Sequence, residues 1–202
     1  MLLTAIPLLY EKNQYIMKGG KKGVNALHEE YNGYTIDDIE ALPEGARAEL
    51  IDGRIYYMSA PSLEHQMLSA SLHAEIYNYI KSHNGSCRAL AAPFAVYLNA
   101  DNSIYLEPDI SVICDKDKLS KKGCHGAPDW VIEIVSPSTG KLDYGKKLFL
   151  YRTAGVKEYW IVDPKDSSVM VFDFMTDETE KFSFNEEIKG KLFKDFAIKI
   201  EI

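Results

Sequence analysis

Three acids and a group of lysines are the residues of this 202-residue chain whose types and spacing suit catalysis. Glu133 lies in the middle of the apolar run Trp130-Val131-Ile132-Glu133-Ile134-Val135, which Ser136-Pro137 closes. A run rich in Val and Ile reads as a strand covered on both faces. A carboxylate there must pair, take up a proton or bind a cation, because leaving it bare costs several kcal/mol. Asp109 follows Pro108 in a second strand-like stretch, Glu49 opens a third, and Lys141, Lys146, Lys147 and Arg152 come next after the Glu133 strand. Hard divalent cations such as Mg²⁺ take oxygen ligands and often need only two carboxylates beside water and substrate phosphate. A lysine nearby orients metal-bound water and offsets charge on a reacting phosphate, so the set describes phosphodiester hydrolysis. Two acids flanking a sugar at about 5 Å or about 6.5–9.5 Å would suit a metal-free glycosidase instead.

The elements that must position these groups follow from the pattern. Residues 1–33, with Gly19-Gly20-Lys21-Lys22-Gly23 in their middle, read as an irregular N-terminal extension that is partly mobile or used in oligomer contacts, and 34–202 as a single domain. Thr35 caps a short helix before Pro43. Ala48–Ile51 and Arg54–Met58 form a hairpin through Asp52-Gly53. Leu68, Leu72, Ile76 and Ile80 make a four-residue ladder on a long helix from Ser62 to about His83. Strands follow at Arg88–Leu98 and Ile104–Cys114, then the Glu133 strand, then a helix opened by Ser138 or Thr139 and stopped at Gly155. Lys157–Val162, a hairpin of Val169–Phe174 with Glu180–Phe184, and a strand or strand pair in Leu192–Ile202 complete the chain. Strands interleaved with two or three helices predict an α/β or α+β fold, a mixed sheet packed by helices with hairpins at its edges.

Bulk properties narrow the function. A net charge of -7 argues against a protein that coats nucleic acid nonspecifically, although lysines gather at 116, 118, 121 and 122 and again around 141–152. Cys87, Cys114 and Cys124 are odd in number and lack a C-x-x-C spacing, which speaks against a disulfide scaffold and a structural zinc site, Cys124-His125 included. A reducing cytoplasm fits that usage. The apolar start Met1–Tyr10 has no basic region and is too short to span a bilayer, so no membrane or export role is expected.

With these residues in hand, the chain resembles the PD-(D/E)XK nuclease superfamily: Pro108-Asp109, then Glu133 in a buried strand. Its longer runs, Gly126 to Thr139, Lys147-Leu148 to Tyr151 and Ala154-Gly155-Val156-Lys157-Glu158-Tyr159-Trp160-Ile161-Val162-Asp163-Pro164, resemble the Uma-type restriction endonuclease branch. Glu49-Leu50-Ile51-Asp52-Gly53 and Pro61 to His65-Gln66 carry the same resemblance, which covers roughly residues 35 to 200. It implies a restriction-endonuclease-like sheet and a Mg²⁺- or Mn²⁺-dependent endonuclease acting on DNA. Asp109, Glu133 and Glu49, with the backbone carbonyl of Ile134, would hold the metal. The superfamily lysine two residues after the acid is Val135 here; the branch places it on the following helix, at Lys147, with Lys146 next to it. His65, Gln66, Tyr151 and Lys146 are the candidate substrate contacts. A two-fold homodimer is expected by analogy with nucleases that cut two strands. The displaced lysine and acidic charge motivate a rival: a nuclease fold retained as a noncatalytic binding or assembly module.

Overall fold

The structure, a computed structural model, describes residues 33–137 and 139–200. The expectations for the N-terminal extension, Gly33 apart, and for Ser138 lie outside the described residues. Helix α1 (Ile36–Glu40) is closed by the reciprocal bonds of Thr35 and Asp38. Strands β1 (Ala48–Ile51) and β2 (Arg54–Tyr57) pair antiparallel through Asp52 and Gly53, both at positive φ as the tightest hairpin turn requires. Helix α2 (Leu63–Ser82) starts at Ser62, whose hydroxyl accepts the His65 N–H at 3.2 Å.

Pro93 and Pro108 lie where the two long strands expected at Arg88–Leu98 and Ile104–Cys114 each divide in two. The pieces are β3 (Arg88–Ala91), β4 (Val96–Tyr97), β5 (Ile104–Leu106) and β6 (Ile110–Ile113), and they join different sheets. After a basic loop come β7 (Cys124–His125) and β8 (Trp130–Ile134). A Cβ on Gly123 would collide with the Ala95 carbonyl, so only glycine lets β7 run beside β4. The following helix is wider than expected at its start: Leu142–Lys147 form a π-helical turn before α3 (Leu148–Ala154), which ends on left-handed Gly155. Strands β9 (Glu158–Asp163), β10 (Ser168–Asp173) and β11 (Glu178–Ser183) form a meander. In the C-terminal stretch, β12 (Ile188–Lys189) pairs with β13 (Ala197–Ile198).

The six-stranded sheet runs β11-β10-β9-β8-β6-β3 and is mixed, since β8 and β9 are parallel while the other pairs are antiparallel. The five-stranded sheet runs β2-β1-β5-β4-β7. Alternation along β8 sorts its side chains. Trp130, Ile132 and Ile134 join the α2 ladder of Leu68, Leu72, Ile76 and Ile80 in one core. Val131 joins Tyr151, Tyr159, Ile51 and Leu106 in the other. Each fully buried Leu or Ile contributes roughly 1.5–3 kcal/mol relative to an exposed one.

One expectation is corrected outright. Cys87 and Cys114 form a disulfide, S–S 2.03 Å, and only Cys124 among the cysteines is free. The antiparallel register that opposes Arg88 to Ile113 brings the two flanking cysteines face to face, a proximity that their sequence separation of 27 does not reveal. Among the described residues no helix is long and apolar enough to cross a membrane.

Candidate active site

The acids converge because the two sheets meet at the Glu107-Pro108-Asp109 connection. Asp109 immediately precedes β6, whose Ile110 opposes Ile132, so it enters beside Glu133. Its Oδ2 accepts the Ile134 N–H at 2.8 Å and lies 3.1 Å from His65 Nε2. Glu49 comes from β1 of the other sheet and is tied to the connection by the Glu107 N–H, 3.1 Å from its Oε1. Alternation puts Glu133 on the same side of β8 as Val131, facing α3. All three acids therefore reach one region from three elements.

Lys147 closes the cluster. Its Nζ donates to Glu49 at 2.9 Å and to Glu133 Oε1 at 2.9 Å, and stands 3.7 Å from Asp143 Oδ1. The Tyr151 hydroxyl donates to the same Glu133 oxygen at 2.7 Å. The lysine and its three acids are buried, with Lys147 3% and Asp143 1% exposed. Burial works against a charged Lys147, but Glu133, Glu49 and Asp143 outweigh it and hold the ammonium well above its ordinary pKa. Burial also raises Glu133; Lys147 pulls the other way, while Asp143, Asp109 and Glu49 push it further up. Asp143 is raised by burial too, against the pull of Lys147 and of a Thr139 hydroxyl that does not reach hydrogen-bonding geometry. Burial likewise lifts the Tyr151 phenol well above its usual range, keeping it a donor. His65 is raised chiefly by its bond to Asp109, and its Nδ1 is buried without a partner among the described residues.

The sequence candidates thus separate. Glu49, Glu133, Lys147 and Tyr151 are joined by direct bonds, and Asp109 and His65 form a second pair alongside. Ile134 contributes its N–H to Asp109. Lys146 points elsewhere, 2.9 Å from Asp52, and Gln66 is exposed on α2 with no side-chain bond among the described residues. Asp143 and Lys147, four residues apart, are both buried. The overlooked residue is Asp143, neither of whose carboxylate oxygens has a hydrogen-bond partner among the described residues. A signal was there in Asp143, Lys147 and Tyr151 at i, i+4 and i+8, a spacing that places all three on one side of a helix.

The donor chemistry, carboxylate oxygens in excess of one buried ammonium, suits a hard cation. Among the described residues, however, no three His, Cys, Asp or Glu side chains already stand around a common metal position. The Lys147 ammonium lies between Glu49 and Glu133.

A two-sheet α+β frame with acids gathered at its junction defines a nuclease-like fold. It is similar to the crystal structure described as a "putative nuclease belonging to DUF820" from Anabaena variabilis, with TM-score 0.68 and 24% identity over 82% of this chain and 94% of that one. The family model described as "Putative restriction endonuclease", Uma2, matches residues 36–201, and the chain belongs to that family. It is also 33% identical over 104 residues to the "Uncharacterized protein slr1290" of Synechocystis; the match spans 51% of this chain and 53% of that relative, about half of each.

Proposed function

We propose that this protein is an endonuclease that hydrolyses phosphodiester bonds in DNA with the help of Mg²⁺ or Mn²⁺. The supporting observation is the charge balance of the buried cluster, in which Glu49, Glu133 and Asp143 surround the single ammonium of Lys147. Family membership supports the same reading. Asp109, Glu133 and Glu49, with the Ile134 carbonyl, would hold the cation. A bound divalent ion supplies Lewis acidity and a more acidic water. The chain's own groups do the rest: Lys147 stays charged and offsets negative charge developing on phosphate, and Tyr151 fixes the orientation of Glu133. His65, 3.1 Å from Asp109 Oδ2 through its Nε2, holds that carboxylate in place.

One observation favours the rival reading of a noncatalytic binding module: Lys147 already satisfies both Glu49 and Glu133 without a metal. Calorimetric titration of Mn²⁺ into wild type, Asp109→Ala and Glu133→Ala separates the two. The nuclease reading expects saturable binding in wild type and none in either folded variant. Equal, negligible heats in all three, repeated with a nonhydrolysable duplex present to supply phosphate ligands, would reject it.

A further inference from the structure

Helix α2 has two apolar faces, and the described fold covers one of them. Leu68, Leu72, Ile76 and Ile80 are buried against the six-stranded sheet. On the other side Leu63, Met67, Ala70, Ala74 and Tyr77 recur at alternating spacings of four and three, and all five are exposed, Leu63 at 78%, Met67 at 52% and Tyr77 at 49%. At 3.6 residues per turn the centre of this stripe lies roughly 160° around the helix from the buried ladder. Its spacing is that of a two-helix seam, and none of its five side chains is charged.

We infer that this stripe is a homodimer interface in which α2 packs antiparallel on α2 of a second copy, about a two-fold axis at the level of Leu72. In that arrangement the stripe is complementary to itself. Ala70 then faces Ala74, so the helices approach closely at the crossing, and Met67 faces Tyr77, a sulfur on an aromatic ring. The ends match in charge as well. Glu64 in the first turn comes opposite Lys81 in the last, whose Nζ already leans over the Tyr77 ring at 5.9 Å. A parallel pairing would set Glu64 against Glu64 and Lys81 against Lys81. Isologous contact of this kind closes at two copies. Because His65 lies in the first turn of the same helix, the pairing would fix two acid clusters at opposite ends of one rigid element. The inference stands independently of the nuclease reading.

Sedimentation velocity of the full chain over a concentration series tests it. Wild type is expected to dimerise, and Met67→Glu or Ala74→Glu to raise the dimer dissociation constant about tenfold or more with unchanged far-UV circular dichroism. Phe149→Glu, at an exposed apolar residue of α3, should leave the dimer intact. The double variant Ala70→Cys, Ala74→Cys should form a covalent dimer on oxidation, a readout that requires no charge in the seam. A monomeric wild type, a dimer unaffected by both α2 variants, dissociation by Phe149→Glu alone, or failure of the cysteine pair to crosslink a dimeric protein would each overturn it.

Discussion

Lys147→Met is expected to lower the free energy of unfolding by about 3–5 kcal/mol at neutral pH, the usual cost of removing one partner from a buried ion pair. The reason is specific to this cluster. Glu49 and Glu133 lose their shared donor, and Asp143, whose carboxylate has no hydrogen bond among the described residues, loses the ammonium 3.7 Å from it. Chemical denaturation of wild type and variant at pH 7 measures the difference. Adding Glu49→Gln, Glu133→Gln and Asp143→Asn to Lys147→Met should recover most of the loss, since the lysine and the three acids around it then lose their charge together. A loss below about 1 kcal/mol would mean that the cluster is wetter than its burial indicates and that the lysine behaves as a surface partner.

Glu158→Ala should cost about 3 kcal/mol or more, on a basis unrelated to the acid cluster. Glu158 is fully buried and accepts the Trp160 indole N–H at 2.6 Å and the N–H groups of Lys191 and Leu192 at 3.0 and 2.6 Å. Truncation leaves three donors to be satisfied, each worth roughly 1–3 kcal/mol when buried without a partner. It also frees the segment of Lys191 and Leu192 from the sheet, so hydrogen exchange there should rise first. The same carboxyl carries a pH dependence. Burial lifts it to about 7, against the pull of those three donors, from an ordinary value of 4.5. An acid raised on folding binds its proton more tightly in the native state. Its contribution to stability is therefore complete below about pH 4.5 and is lost as pH rises through 7. Melting temperatures of wild type should fall across that window relative to Glu158→Gln, which has no proton to lose there; parallel curves would refute the assignment.

Much of the frame was legible in the sequence because it is written in local signals. The four-residue ladder of α2, the Asp52-Gly53 turn, the buried run around Glu133 and the Gly155 stop each need only a few neighbouring residues to be read. What escaped was decided at long range. The prolines at 93 and 108 are visible, but their effect, sending β3 and β6 to one sheet and β4 and β5 to the other, depends on pairings no local pattern encodes. The Cys87–Cys114 bond depends on the register of two strands. The site shows the same division. Lys147 came from resemblance, since a lysine four residues after an aspartate reads as surface charge until the π-helical turn is seen to bury both. Glu158 gave no sign of its role, because two of its three partners, Lys191 and Leu192, lie more than thirty residues away.

The bond between Cys87 and Cys114 turns the stretch from β3 to β6 into a covalent ring, with Asp109 on its circumference and the 99–103 turn at its far end. Cutting the chain once at that turn would not divide the protein into two pieces. Asp109 would remain tethered to both halves through sulfur, and the fragments would part on a denaturing gel only after a thiol was added.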